Sequence, residues 1–148
     1  MDDTLISRIR KNASEEIWIA LTNYEGHDLL NIRAYFRSLD GFQPTRKGIA
    51  VGLPKLKELR DALKSTMESG AAAAPAIIPK NSSEEIRVYK SEYMGHLLMN
   101  IRVFFRRKKD GDMEPGHKGI AFNVNLTNEV VRGIDLAIKQ TAANFMVA

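Results

Sequence analysis

Basic and aromatic side chains stand close together at several points of the chain. Arg33 precedes Phe36, Arg46 and Lys47 precede Gly48, Arg102 precedes Phe105, and His117 and Lys118 precede Gly119. Arginine and lysine can neutralise phosphates with release of counterions, and aromatic rings can stack on unpaired bases. Other chemistry lacks its residues. There is no cysteine, which excludes disulfides, thiolate metal sites and cysteine nucleophiles. His27 and His96 belong to no His-Glu-x-x-His spacing. Carboxylates such as Glu15, Glu16, Glu84 and Glu85 read as solvated strand entries, and neither a nucleophile elbow nor a phosphate-cradling glycine loop stands out. The expectation is a protein with no catalytic residues, no metal and no cofactor.

These residues recur because the chain repeats itself. Ser14-Glu15-Glu16-Ile17 returns as Ser83-Glu84-Glu85-Ile86, an offset of 83 − 14 = 69. At that offset Tyr24 pairs with Tyr93, Gly26 with Gly95, His27 with His96, Arg33 with Arg102 and Phe36 with Phe105. Two single-residue insertions, around Lys109 and Asp112, raise the offset to 71, and Lys47-Gly48-Ile49-Ala50 then matches Lys118-Gly119-Ile120-Ala121. Insertions confined to a turn are where a hairpin tolerates them.

Each copy gives the same order of elements. Ile17 to Tyr24 predicts a strand ending at a turn with Gly26, and Leu29 to Leu39 a longer one. In the latter, Asn31 and Arg33 share one face and Leu30, Ile32 and Ala34 the other. Asp40-Gly41 signals a hairpin, and a short strand runs from Arg46 to Val51. Pro54 then opens a helix striped by Leu56, Leu59, Leu63 and Met67. In the second copy Asn125 is the expected N-cap, the stripe is Leu126, Val130, Ile134 and Ile138, and Gly133 weakens it. The fold class is therefore α+β, with two tandem modules at 14–68 and 83–141, each a few antiparallel strands followed by one C-terminal helix. They are joined by a small, proline-punctuated linker at 69–82 and flanked by an extension at 1–13 and a tail at 142–148. A module of about 55 residues buries little apolar area alone, so the two are expected to associate.

Charge restricts partners only loosely. The net charge is +4 and the pI near 9.4, a mild excess that permits polyanion binding without requiring it. Residues 14–64 hold 8 basic and 7 acidic groups and residues 83–140 hold 10 and 8, so any cationic footprint must come from arrangement. The N-terminus has no apolar secretory segment and no run spans a membrane. A cytoplasmic location is expected by default, with the sequons at Asn81 and Asn125 accidental.

Leu30-Asn31-Ile32-Arg33-Ala34-Tyr35-Phe36, then Asp40-Gly41, then Pro44-Thr45-Arg46-Lys47-Gly48-Ile49-Ala50, resembles the core of the transcriptional coactivator p15 family, also called positive cofactor 4. Met99-Asn100-Ile101-Arg102-Val103-Phe104-Phe105 with Pro115-Gly116-His117-Lys118-Gly119-Ile120-Ala121 is similar to the same motif, and each match covers nearly all of its repeat. The resemblance implies a ββββα order in each module, a strongly curved antiparallel sheet backed by a helix, with two modules paired through their helices. The sheets would then form channels for single-stranded DNA. Usually two chains supply the modules; here one chain carries both and reads as a covalent pseudo-dimer, with chain-to-chain dimerisation as the alternative.

By motif position the resemblance assigns nucleic-acid binding to Tyr24, His27, Arg33, Phe36, Arg46, Lys47 and Gly48 in the first copy. In the second it assigns Tyr93, His96, Arg102, Phe105, His117, Lys118 and Gly119. Glu25, Met94, His27 and His96 stand where the family commonly has lysine, which removes up to four positive charges. Arg106, Arg107, Lys108 and Lys109 restore some, and Arg107 joins the expected site. Gly48 and Gly119 are expected to permit close backbone approach at a basic turn. Strict alternation separates Arg33 from Phe36, so either a bulge re-aims the strand or Phe36 and Phe105 are core. The expected ligand is single-stranded DNA bound without sequence preference in transcription or a related process. Single-stranded RNA on the same fold and a protein-interaction scaffold are the alternatives.

Overall fold

The structure, a computed structural model, describes residues 3–70 and 72–147. Eight strands form one antiparallel sheet in the order β1-β2-β3-β4-β8-β7-β6-β5. The first half comprises β1 (Thr4–Arg10), β2 (Glu15–Tyr24), β3 (His27–Ser38), β4 (Gly41–Gly52) and helix α1 (Leu56–Glu68). The second comprises β5 (Ala76–Pro79), β6 (Glu84–Tyr93), β7 (His96–Phe105), β8 (Glu114–Asn123) and α2 (Thr127–Val147). The two half-sheets meet between β4 and β8 through one pair of opposed residues, Gly48 and Gly119.

Period-two alternation works as expected in β3: Leu30, Ile32 and Ala34 are fully buried while Asn31, Arg33 and Tyr35 lie on the other face. Two segments set outside the modules by composition each carry a strand. β1 lies within residues 1–13 and pairs with β2, and β5 lies within the 69–82 linker and pairs with β6. Ile9 and Ile78, both buried, give these strands their inward anchor. Helix α2 runs through residues 142–147, the expected tail. Met1, Asp2, Ala71 and Ala148 lie outside the described residues.

Three local expectations change. The strand expected at 46–51 is longer, because β4 begins at Gly41 and carries extra residues between Pro44 and Gly48 where β3 has only Ala34 between Tyr35 and Arg33. Pro44, which lacks an N–H, is tolerated beside this bulge. Asn125 is not the cap of the second helix. Asn123 accepts from the Asn125 N–H at 2.9 Å and starts a 3-10 turn that leads into α2. Gly133 is not merely a weak helix position either, for a Cβ there would lie 2.5 Å from Ile19 Cδ1.

That last contact shows how the halves are joined. α2 packs on β1 and β2, and α1 packs on β5 and β6, so each helix covers the sheet of the other half. Lys90 of β6 donates to the Met67 and Ser69 carbonyls at the end of α1, at 3.0 and 2.7 Å. The helices also touch each other, and Arg60 Nη1 lies 3.2 Å from Asp135 Oδ1. The striped faces feed a single apolar core in which Leu59, Leu63, Val130 and Ile134 meet Ile19, Ile32, Val88 and Ile101. Intramolecular pairing through the helices is thus the architecture of the chain.

The two β-hairpins at the far end of each module turn through Glu25-Gly26 and Met94-Gly95, all four at positive φ (50° and 81° in each). This is the two-residue turn whose twist suits a hairpin, and asparagine or glycine is favoured at its first position. Glutamate and methionine there are strained by roughly 1 kcal/mol each. Replacing Glu25 and Met94 together by asparagine should raise the thermal midpoint by several degrees, which calorimetry would read.

Candidate nucleic-acid interface

The sheet face opposite the helices is open. Following opposed residues from edge to edge gives one continuous row: Arg8, Trp18, Arg33, Gly48, Gly119, Arg102, Arg87 and Ile77. Directly opposed residues of neighbouring strands share a face, so all eight lie on one side. At about 4.8 Å per strand the row is about 34 Å long measured along the sheet. Four guanidinium groups therefore sit in line across both halves.

Arg33 and Arg102 are held in the same way. Arg33 Nη1 donates to the Thr45 carbonyl at 2.9 Å, and Arg102 Nη1 to the Gly116 carbonyl at 3.0 Å. Each guanidinium lies over the glycine opposite. A Cβ on Gly48 would stand 2.7 Å from Arg33 Cζ, and one on Gly119 2.8 Å from Arg102 Cζ. The two glycines, expected to let backbone come close, instead make room for the arginines. The bulges they border present Arg46, Lys47, His117 and Lys118 as exposed side chains beside the centre of the row. Thr45 stabilises the first bulge by donating from Oγ1 to the Ala34 carbonyl at 2.8 Å.

Tyr24 and His27 are opposed at the tip of one hairpin, and Tyr93 and His96 at the tip of the other. Alternation puts all four on the open face. They are exposed, the tyrosines by about two-thirds. Phe36 and Phe105 are the exceptions. β3 runs against β2 without a break, and the extra residues lie in β4, so nothing re-aims Phe36. It keeps the side of Ala34, away from Arg33, yet at 43% exposure it is not core. Phe105 likewise shares the side of Val103 and is half-buried. Neither of the two readings of these rings describes them. Arg107 is exposed, pairs with Glu114 at 3.1 Å and lies 5.7 Å over the Phe105 ring.

Residue types alone missed the rings that do line the open face. Trp18 stacks on Tyr35 with centroids 4.0 Å apart and meets Phe42 at 5.9 Å. Arg8 lies 4.7 Å over Trp18 and 4.9 Å over Phe42. In the second half Arg87 lies 4.3 Å over Phe104, which meets Tyr89 edge-on at 6.0 Å. The signal was available: Trp18 sits between the buried Ile17 and Ile19, and Tyr35 two residues from Arg33, so parity puts both on the arginine face.

Two carboxylates share that face. Glu16 Oε1 accepts from Arg8 Nε at 2.7 Å and from Trp18 Nε1 at 2.9 Å, and Glu85 accepts from Arg87 Nε at 2.6 Å. The Arg8 hydrogen bond holds the Glu16 carboxyl below its ordinary range. A lowered carboxyl pKa means that the contribution of this pair is complete above the ordinary carboxylate range and disappears as pH falls through the lowered value. Glu16→Gln should remove that acid-side dependence and, at neutral pH, the whole contribution of the pair, which is small for a partly exposed ion pair. By taking a negative charge off the row it should tighten polyanion binding severalfold, which melting curves and oligonucleotide titration would each report.

The arrangement is an extended two-module sheet with a cationic, ring-bearing face. The family model for transcriptional coactivator p15 (PC4) matches the chain over residues 11–62 and again over 80–136. The chain belongs to that family, and it carries the domain twice. Among solved structures it is similar to a PC4 homolog from Burkholderia pseudomallei, at 26% identity and a TM-score of 0.41, covering 47% of this chain and 93% of that one. No curated protein matches it. Among the described residues no helix is long and apolar enough to cross a membrane.

Proposed function

We propose that the chain binds single-stranded DNA without sequence preference, as a transcription-associated factor, through the open face of its sheet. The observation that carries this reading is the row from Arg8 to Arg87, which lines four arginines and a tryptophan across both halves. A single strand offers phosphates and the faces of unpaired bases, and a cationic sheet with interleaved rings addresses both. Arg33, Arg46, Lys47, Arg102 and Lys118, clustered about the midline, neutralise phosphates. Trp18, Tyr35 and the hairpin tyrosines give bases a surface to stack on. Family membership supports the reading, and so does the strict recurrence of the arginine–glycine pairs in both halves.

Titration of fluorescent oligonucleotides at two salt concentrations tests it. Single-stranded DNA should bind more tightly than a duplex of the same length. Engagement of five phosphates should weaken binding about a hundredfold between about 50 and 200 mM salt, since the slope is about −0.7 per phosphate for single strands. Equal affinity for matched single-stranded RNA would widen the ligand class. Salt-independent or absent binding would favour a protein-interaction scaffold and overturn the proposal.

A further inference from the structure

The two halves of the open face have the same architecture but not the same residues. Where the first half sets Trp18 opposite Arg33, the second sets Arg87 opposite Arg102. Where the first half has Arg8 on its edge strand, the second has Ile77. Trp18, Tyr35 and Phe42 form a cluster of three rings, with Arg8 over Trp18 and Phe42 and Arg37 also over Phe42. Its counterpart is Arg87 flanked by Phe104, with Tyr89 edge-on beside it. Like charges directly opposed on a sheet are destabilising, and Arg87 and Arg102 are such a pair. Glu85 takes only the Nε of Arg87, and backbone carbonyls take Nη1 of Arg102. A phosphate between two guanidiniums would relieve the repulsion and accept charged hydrogen bonds from both.

We infer that the halves are specialised: Trp18 and Tyr35 form a base-stacking seat, a base taking the place of the Arg8 guanidinium over the Trp18 ring, and Arg87 with Arg102 forms a phosphate seat. This rests on the nucleic-acid reading of the open face. A symmetric pair of modules would make the two halves interchangeable to a bound strand. Here the divergence at 18 and 87 makes them distinguishable, so the ligand features that each half selects differ. Stacking on a tryptophan depends on a base being present, whereas a phosphate seat does not.

The experiment uses the full-length chain with two probes of equal length, an oligothymidylate and an abasic oligodeoxyribose phosphate. Trp18 is the chain's single tryptophan, so its fluorescence reports on the first half alone. Quenching is expected with the oligothymidylate and not with the abasic probe. Trp18→Ala should weaken oligothymidylate binding roughly tenfold, as loss of one stacked base does, and leave abasic binding unchanged. Trp18→Phe should recover most of the loss, and it is the unchanged abasic binding of Trp18→Ala that separates stacking from a folding defect, which would weaken both probes. Arg87→Ala should weaken both probes by the same factor and reduce the salt slope by about 0.7, one phosphate's worth for a single strand. Equal losses on both probes for Trp18→Ala, or an unchanged salt slope for Arg87→Ala, would overturn the assignment while leaving the interface standing. Failure of the unaltered chain to bind either probe would overturn the interface and the assignment together.

Discussion

Replacing Arg33 and Arg102 together by alanine is expected to weaken single-stranded DNA binding on the order of a hundredfold or more. Each charged hydrogen bond to a phosphate contributes roughly 1.5–3 kcal/mol, and these two arginines flank the midline where the half-sheets join. Their side chains also tie down the β4 and β8 bulges through the Thr45 and Gly116 carbonyls. Alanine therefore loosens the loops that carry Arg46, Lys47 and Lys118 as well as removing charge. Lysine at both positions keeps the charge but not the planar fork, and should recover only part of the affinity. Fluorescence anisotropy with an oligothymidylate checks both variants, with circular dichroism as the control for folding. Wild-type affinity in the double alanine variant would remove these arginines from the interface.

Severing the chain in the linker has a different and equally large expected effect. Because α1 covers β5 and β6 while α2 covers β1 and β2, a half on its own leaves the apolar face of its sheet, with Ile17, Ile19, Leu30 and Ile32 for the first half, without its helix. Residues 1–70 alone should be either unfolded or paired with a second copy that exchanges helices. Mixing the two halves should restore a folded one-to-one complex. Light scattering combined with circular dichroism distinguishes the cases. A folded monomer of either half would show that the helices are not exchanged in solution.

The repeat made much of this architecture legible. The offset of 69 located equivalent strands in both copies, and alternation in β3 put Arg33 on the face away from Leu30 and Ile32. Helix exchange was not legible, since a stripe such as Leu56, Leu59 and Leu63 looks the same whichever sheet it covers. The strands β1 and β5 were missed because each carries a single strongly buried residue, Ile9 or Ile78, amid charged or proline-flanked sequence. Phe36 and Phe105 recur in both copies and so stand out in the repeat, whereas Trp18 and Arg87 occupy equivalent positions but differ and so do not. The positions where the copies diverge turned out to lie on the row itself. Gly48 and Gly119 were visible as significant, but their role depended on where the arginine across the strand pair points, and that is a tertiary fact.

Chemical-shift mapping of the intact chain titrated with an oligothymidylate tests the central claim most directly. The largest changes are expected at Trp18, Arg33, Gly48, Arg87, Arg102 and Gly119 and in the two bulges, with α1 and α2 unaffected. Changes concentrated on the helices, with the open face silent, would contradict it.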